Sequence, residues 1–162
     1  MDEMTITPVA FVKNTRKEPV DDCWGGMLSE IELIDGLPGD ALDGIDAFSH
    51  LEILYYFHRS VSTVTGSEHP RENRAWPKVG IFAQRKKDRP NHLGTTFVNL
   101  VRREGRKLVV ANLDAVDGTP VIDIKPVMAE FMPKGTIEQP PWATELMAGY
   151  WKSPTCPSPV SA

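Results

Sequence analysis

The chain reads as mainly β, a small β-barrel with one C-terminal helix. Three observations point there. Several short runs are alternating, β-branched or aromatic, as strands are. The 14 prolines and 12 glycines sit mostly between those runs, where turns belong. Strands and helices do not alternate along the chain, which argues against a doubly wound parallel sheet. The length of 162 residues fits one domain able to bury a core, and the 41% hydrophobic content is that of a globular chain.

Residues 6–13 are the first predicted strand. Residues 27–34 alternate, with Leu28, Ile31, Leu33 and Ile34 apolar and Glu30 and Glu32 on the other side. Residues 37–46 are turn-rich. Residues 48–58 are apolar on both faces, which predicts a central strand. Residues 60–78 are polar and broken by Gly66, Pro70 and Pro77, so they read as a long functional or mobile loop. Strands follow at 79–83 and 95–103, and Gly105 turns the chain into a strand at 107–112. Asp117–Gly118 marks a tight turn before a last strand at 120–125, closed by Pro126. Pro140 and Pro141 open a predicted helix over 141–151, where Trp142, Leu146, Gly149 and Tyr150 recur at helical spacing. The barrel domain is expected to span 1–152, with a disordered Pro/Ser tail over 153–162.

The formal charge is −4 and the isoelectric point about 5.6. Any nucleic-acid contact must therefore come from a local patch. Cys23 and Cys156 lie far apart, and two cysteines make no disulfide framework. No run of about 18 apolar residues predicts a membrane span. The first residues carry no apolar signal core. A reduced, soluble, cytoplasmic protein is expected.

Residues 79–94, VGIFAQRKKDRPNHLG, are the most informative stretch. A short apolar strand runs into Arg85, Lys86, Lys87 and Arg89, followed by a stiff Pro90–Asn91 turn. Arginine offers a planar fork of donors for phosphate or carboxylate. A solvated charge run would look the same, and the two readings stand about even. Neither Gly-rich phosphate-loop pattern occurs. His50 and His58, eight residues apart on one predicted strand, cannot share a metal, and no metal site is predicted. His50 reads as structural. His58, at the strand end beside Arg59, suits either a ligand contact or a cap. Asp114, Asp117 and Asp123 are candidate acid–base groups or turn formers. Asp117–Gly118–Thr119 can hold a ribose or an amino-acid head group. No nucleophile set is evident.

FSHLEILYYFH, VGIFAQR with RPNHLG, and LDAVDGTPVIDIKP occur in order. Together they resemble the blocks of the TsaA-like (TrmO-like) family over about residues 6–127. That resemblance implies a non-Rossmann β-barrel, a homodimer, and transfer of a methyl group from S-adenosylmethionine (SAM). The acceptor would be the exocyclic amine of threonylcarbamoyl-adenosine beside a tRNA anticodon. It implies cofactor contacts at His58, Arg59, Arg85, Thr95, Asp117, Gly118 and Thr119, with Asp123 in the adjoining block. Lys86, Lys87, Arg89 and Asn91 become candidate tRNA contacts. The chain departs from the family in three places. Residues 21–25 replace a P-R-Q segment, so Trp24 is the candidate for stacking on the cofactor adenine. His92 stands where the family has proline. The chain also ends soon after the barrel. A different RNA or small-molecule substrate, or a SAM sensor without turnover, are the alternative readings. No catalytic base is named.

Overall fold

The computed structural model describes residues 3–155. Six strands close into an antiparallel barrel: β1 (Ala10–Lys13), β2 (Leu28–Leu33), β3 (His50–Tyr56), β6 (Leu93–Glu104), β7 (Lys107–Ala111) and β8 (Pro120–Pro126). Their order around the wall is β1-β2-β7-β6-β3-β8. A separate two-stranded ribbon pairs β4 (Ser67–Glu68) with β5 (Val79–Gly80). Among the described residues the one α-helix is α1 (Pro141–Met147). Closure removes the unpaired edges a sheet this small would otherwise expose.

The wall follows the period of two. Ala10 and Val12, Ile31 and Leu33, Leu51, Ile53 and Tyr55, Val98, Leu108 and Val110, and Val121 all point inward and are buried. Two register shifts, at Leu54/Tyr55 and Leu100/Arg102, bend the wall. At one rim, Arg103 donates to the carbonyls of Gly39 (2.9 Å) and Leu42 (3.1 Å), and Arg106 donates to those of Leu33, Ile34 and Leu37. Arg103 thus satisfies carbonyls of the first 3₁₀ turn, and Arg106 those at the end of β2 and in the turn that follows it.

Several expectations need correction. The strand expected at 79–83 is β5 alone, because Ile81–Ala83 coil into a 3₁₀ turn. The strand expected over 48–58 stops at Tyr56. Phe57 N–H turns away to the His92 carbonyl (2.7 Å), so His58 lies off the strand that holds His50. Residues 60–78 contain β4 and a 3₁₀ turn and are tied down by Val64 N–H to the Asp88 carbonyl (2.8 Å). The helix ends at Met147, four residues early. The carbonyls of Gly149, Tyr150 and Lys152 instead accept from Cys23, Trp24 and Gly25 N–H at 3.2, 2.8 and 2.9 Å. Cys23 is disulfide-bonded rather than a reduced thiol. Cys156 and the rest of the expected tail lie outside the described residues.

Candidate functional site

Because the strands alternate in direction, their ends sort to two rims. Residues 14–27, 57–92 and 112–119 form one rim, the mouth. Every residue singled out above as a cofactor or tRNA contact falls there. Trp24 is in the first connection. His58, Arg59, Arg85, Lys86, Lys87, Arg89 and Asn91 are in the second. Asp117, Gly118 and Thr119 are in the third, and Thr95 sits just inside β6 from the same rim. These connections hold ten Lys and Arg against eight Asp and Glu, while the rest of the chain holds eight against fourteen. An acidic protein thus presents a cationic rim.

Asn14 stitches the rim together. Its side chain donates to Ser29 Oγ (3.0 Å) and the Ala115 carbonyl (2.8 Å), and its N–H donates to Asp117 Oδ1 (3.0 Å). Asp117 Oδ2 accepts from Lys17 Nζ at 2.6 Å. The bonds from Lys17 and Asn14 hold the Asp117 carboxyl below its usual range. That interaction is present above about pH 3.8 and is lost as pH falls through the lower, folded-state value. Urea midpoints of the wild type and Asp117→Asn are therefore expected to converge below that pH. A constant gap from neutral to acid pH would refute the assignment.

Gly118 takes φ +79°, and a Cβ built there would meet only His58 Nε2, at 3.8 Å. The space beside the imidazole is open to a ligand. Burial, then the Arg59 charge, lowers the His58 pKa, so the ring is neutral at pH 7. Arg59 reaches back to the Lys17 carbonyl and to Glu18 Oε1 at 3.4 Å. Thr119 is buried, and Asp123 pairs with Lys125 on β8, away from this cluster.

Arg85 Nη2 donates to the Thr95 carbonyl at 2.7 Å, and Thr95 Oγ1 donates to Glu52 Oε1 at 2.9 Å. Arg89 Nη1 donates to the Gln84 carbonyl at 3.0 Å. Among the described residues neither arginine pairs with a carboxylate, so both keep their charge for a ligand. Lys86 and Lys87 differ. Lys86 pairs with Glu68, and both lysines lie against Asp88, at 3.7 and 3.2 Å. Asn91 is exposed at the tip. The basic run is thus half neutralised, which its spacing does not reveal.

One cluster is not legible in the sequence. Asp114 Oδ1 accepts from Tyr55 OH (2.9 Å) and from Thr96 Oγ1, and Asp114 Oδ2 accepts from Tyr150 OH. Burial, then Asp114, raises both tyrosine pKa values well above normal, which keeps the hydroxyls as donors. Tyr55 comes from β3, Thr96 from β6 and Tyr150 from beyond α1, so only the closed fold joins them.

Trp24 does not offer the stacking face expected of it. It is 4% exposed, packed with Met27, Val116 and Tyr150, and the Arg16 guanidinium lies 4.2 Å from its ring centroid. His92 takes φ +50°, outside the reach of proline, whose ring fixes φ near −65°. Its Nε2 lies 3.0 Å from both Thr63 Oγ1 and the Ser62 carbonyl, so the histidine pins the second connection.

Residues 12–131 match the family model of the tRNA-methyltransferase O N-terminal domain. The chain belongs to that family. A human member, named tRNA (adenine(37)-N6)-methyltransferase, is 37% identical over 105 residues. That match spans 64% of this chain but 23% of the human protein, about a quarter of its length. A Methanothermobacter thermautotrophicus member, named a probable S-adenosyl-L-methionine-binding protein, is 41% identical over 130 residues, covering 76% of this chain and 90% of that protein. The crystal structure of TrmO from Pseudomonas aeruginosa superimposes with a TM-score of 0.71 at 24% identity, over 88% of this chain and 62% of that one. The tRNA-methyltransferase O N-terminal-domain match takes in all three mouth connections, and the barrel apart from Ala10 and Phe11 of β1. It stops before α1 and Tyr150.

Proposed function

We propose that the chain binds SAM at the barrel mouth and methylates the exocyclic amine of threonylcarbamoyl-adenosine beside a tRNA anticodon. The observation that supports it most is topological. Two separate connections and the start of β6 bring His58, Arg59, Arg85, Thr95 and Asp117–Thr119 to one cationic rim. Relatives named as SAM-binding proteins and tRNA methyltransferases match this chain in sequence.

The donor set fits the cofactor. Arg85 supplies an uncompensated cation for a carboxylate. Asp117 supplies an acceptor for hydroxyls, and the open face of Gly118 beside neutral His58 leaves room for close approach. The cofactor, when bound, supplies an electrophilic methyl group on a sulfonium. Transfer of that group would form the N–C bond as the S–C bond breaks, release S-adenosylhomocysteine as a neutral thioether, and give the nitrogen's proton to solvent, so no side chain is assigned as the base. What the chain contributes is alignment of amine and methyl group, which can account for much of a rate. Arg89 carries the first phosphate contact in this reading, because Lys86 and Lys87 must first leave Glu68 and Asp88 and Arg85 is held for the cofactor carboxylate. A homodimer and a cytoplasmic location complete the proposal. Sedimentation of the purified chain tests the first, and fluorescence microscopy of the tagged full chain tests the second.

Calorimetry with SAM is the direct check. Arg85→Ala is expected to weaken binding about tenfold or more, on the scale of a lost charge-assisted hydrogen bond. Titration with tRNA across a salt series is expected to show a slope that falls by about 0.7–0.9 for each phosphate contact removed. Replacing Arg89 should flatten it more than replacing either lysine. Absence of SAM binding by the wild type would end the reading. Unchanged methylated threonylcarbamoyl-adenosine in tRNA from a deletion strain would end the substrate assignment.

A further inference from the structure

A second concave surface lies beside the mouth, on the outer wall of the barrel. It is a groove of about 380 Å³ lined by His50, Phe97, Asn99, Asn112 and Trp151. The first three stand on β3 and β6. Asn112 follows β7, and Trp151 comes from the segment after α1.

Its polar side is a connected row. His50 and Asn99 are register partners across β3 and β6. Asn99 Nδ2 lies 3.0 Å from His50 Nε2, so that nitrogen accepts and the ring proton sits on Nδ1, 2.7 Å from Ser49 Oγ. Asn112 Nδ2 donates to Asn99 Oδ1 at 2.7 Å, and Asn112 Oδ1 accepts from Gly26 N–H at 2.6 Å. Asn112 is held in the left-handed region, at φ +66°. Each amide uses one hydrogen and one lone pair in the row. Each keeps one N–H and one carbonyl lone pair for a ligand.

Its apolar side is two aromatic rings. Phe97 is 51% exposed in the middle of β6, and Trp151 is 46% exposed. The Trp151 backbone is locked. Its carbonyl oxygen stands 2.0 Å from where a Cβ on Gly25 would be, and the Tyr150 ring meets the indole edge-on at 5.0 Å. A rigid, half-exposed tryptophan loses little entropy on gaining a partner and has apolar surface to bury.

We propose that this groove binds one unpaired nucleobase of an RNA strand whose modified residue sits at the mouth. The inference rests on the tRNA reading above. The chemistry is that of a neutral, flat, heteroaromatic ring. Aromatic side chains offer stacking faces, and asparagine amides match the paired donor and acceptor of a base edge. Among the described residues no carboxylate lines the groove, so the approach of a polyanion is not opposed.

The test uses the full chain and a fluorescein-labelled RNA stem-loop, beside the same hairpin with abasic sugars in the loop. The abasic hairpin is expected to bind about tenfold more weakly, the scale of one lost stacked base. Asn99→Ala, Phe97→Ala and Trp151→Ala should each weaken the intact hairpin to a similar extent and leave the abasic hairpin and the salt slope alone. SAM affinity should not change in any of the three. Trp151→Ala can loosen the segment it belongs to. The deciding variants are therefore Asn99→Ala and Phe97→Ala, with unchanged melting temperatures. Unchanged RNA affinity in those two overturns the subsite. A loss of SAM affinity instead assigns the ring to the cofactor, and dissociation of a dimer by the same variants assigns the groove to a second copy. Either result overturns the proposal. Binding that ignores base removal sinks the groove alone, whereas a wild type that binds no hairpin sinks the tRNA reading with it.

Discussion

Asp114→Ala is expected to lower stability by about 3 kcal/mol, because it strands three hydroxyl donors at once. Tyr55 is 2% exposed and Thr96 7%, so neither finds water without a rearrangement. Each unmatched buried donor costs about 1–3 kcal/mol, and the 3.2 Å contact between Tyr55 OH and Thr96 Oγ1 lets that pair recover part of it. For a domain of this size, that is a melting temperature lower by roughly 6–12 °C. Tyr150→Phe removes one donor and leaves the others bonded, so it should cost about 1 kcal/mol. The tyrosine titration gives a second readout. Both phenols have folded pKa values above the unfolded value of 10, so their contribution is full below pH 10 and fades as pH rises past it. Without Asp114 the phenols should ionise at lower pH, though still late, because burial is the larger cause. An alanine variant that melts within a degree of the wild type would show that the network does not hold the mouth together.

Gly25→Ala is expected to cost about 2–3 kcal/mol and to undock the chain after α1. The added methyl would lie 2.0 Å from the Trp151 carbonyl oxygen and 2.7 Å from its carbon. Those are backbone atoms, so no rotamer change relieves the clash, and overpacking of this kind costs about 1–3 kcal/mol. Displacement also breaks the hydrogen bonds from Cys23, Trp24 and Gly25 to the 149–152 carbonyls. Limited proteolysis should then cut in residues 141–152 well before the barrel is touched. Cleavage no faster than in the wild type would mean that the segment is held by other contacts. Gly26→Ala is the control, since a Cβ there meets nothing within 4 Å, although its φ of +75° carries a cost of its own.

Strands are readable in this chain where one face is buried and the other wet. Residues 30–33 show the alternation outright within β2 (Leu28–Leu33), whereas Leu28, expected with the apolar face, is exposed beside Glu30 and Glu32 and Ser29 is buried in its place. Residues 79–83 mislead because a short apolar run has the same pattern in a strand as in a 3₁₀ turn. β4, at two residues, is too short for any periodicity. The site divides along similar lines. Contacts within the Asp117–Gly118 turn depend on local chemistry, and the sequence carries it. The Asp114 network joins residues up to 95 positions apart, from Tyr55 to Tyr150, and no local pattern encodes such a meeting. The ion pairs that quiet Lys86 and Lys87 escape local reading for the same reason, since Glu68 arrives from β4. Trp24 is suggested by the loss of a family segment rather than by its own surroundings, and those surroundings bury it.

The chain beyond Met147 closes the rim with Tyr150 and Trp151, yet the family match ends at residue 131. The mouth proposed above as the cofactor and substrate site is therefore composite. Its floor and most of its edge come with the barrel, while one sector is supplied by an appendage outside the shared domain. If the mouth is that site, substitutions in this appendage would change which molecule is admitted while leaving every inward-facing residue of the wall in place.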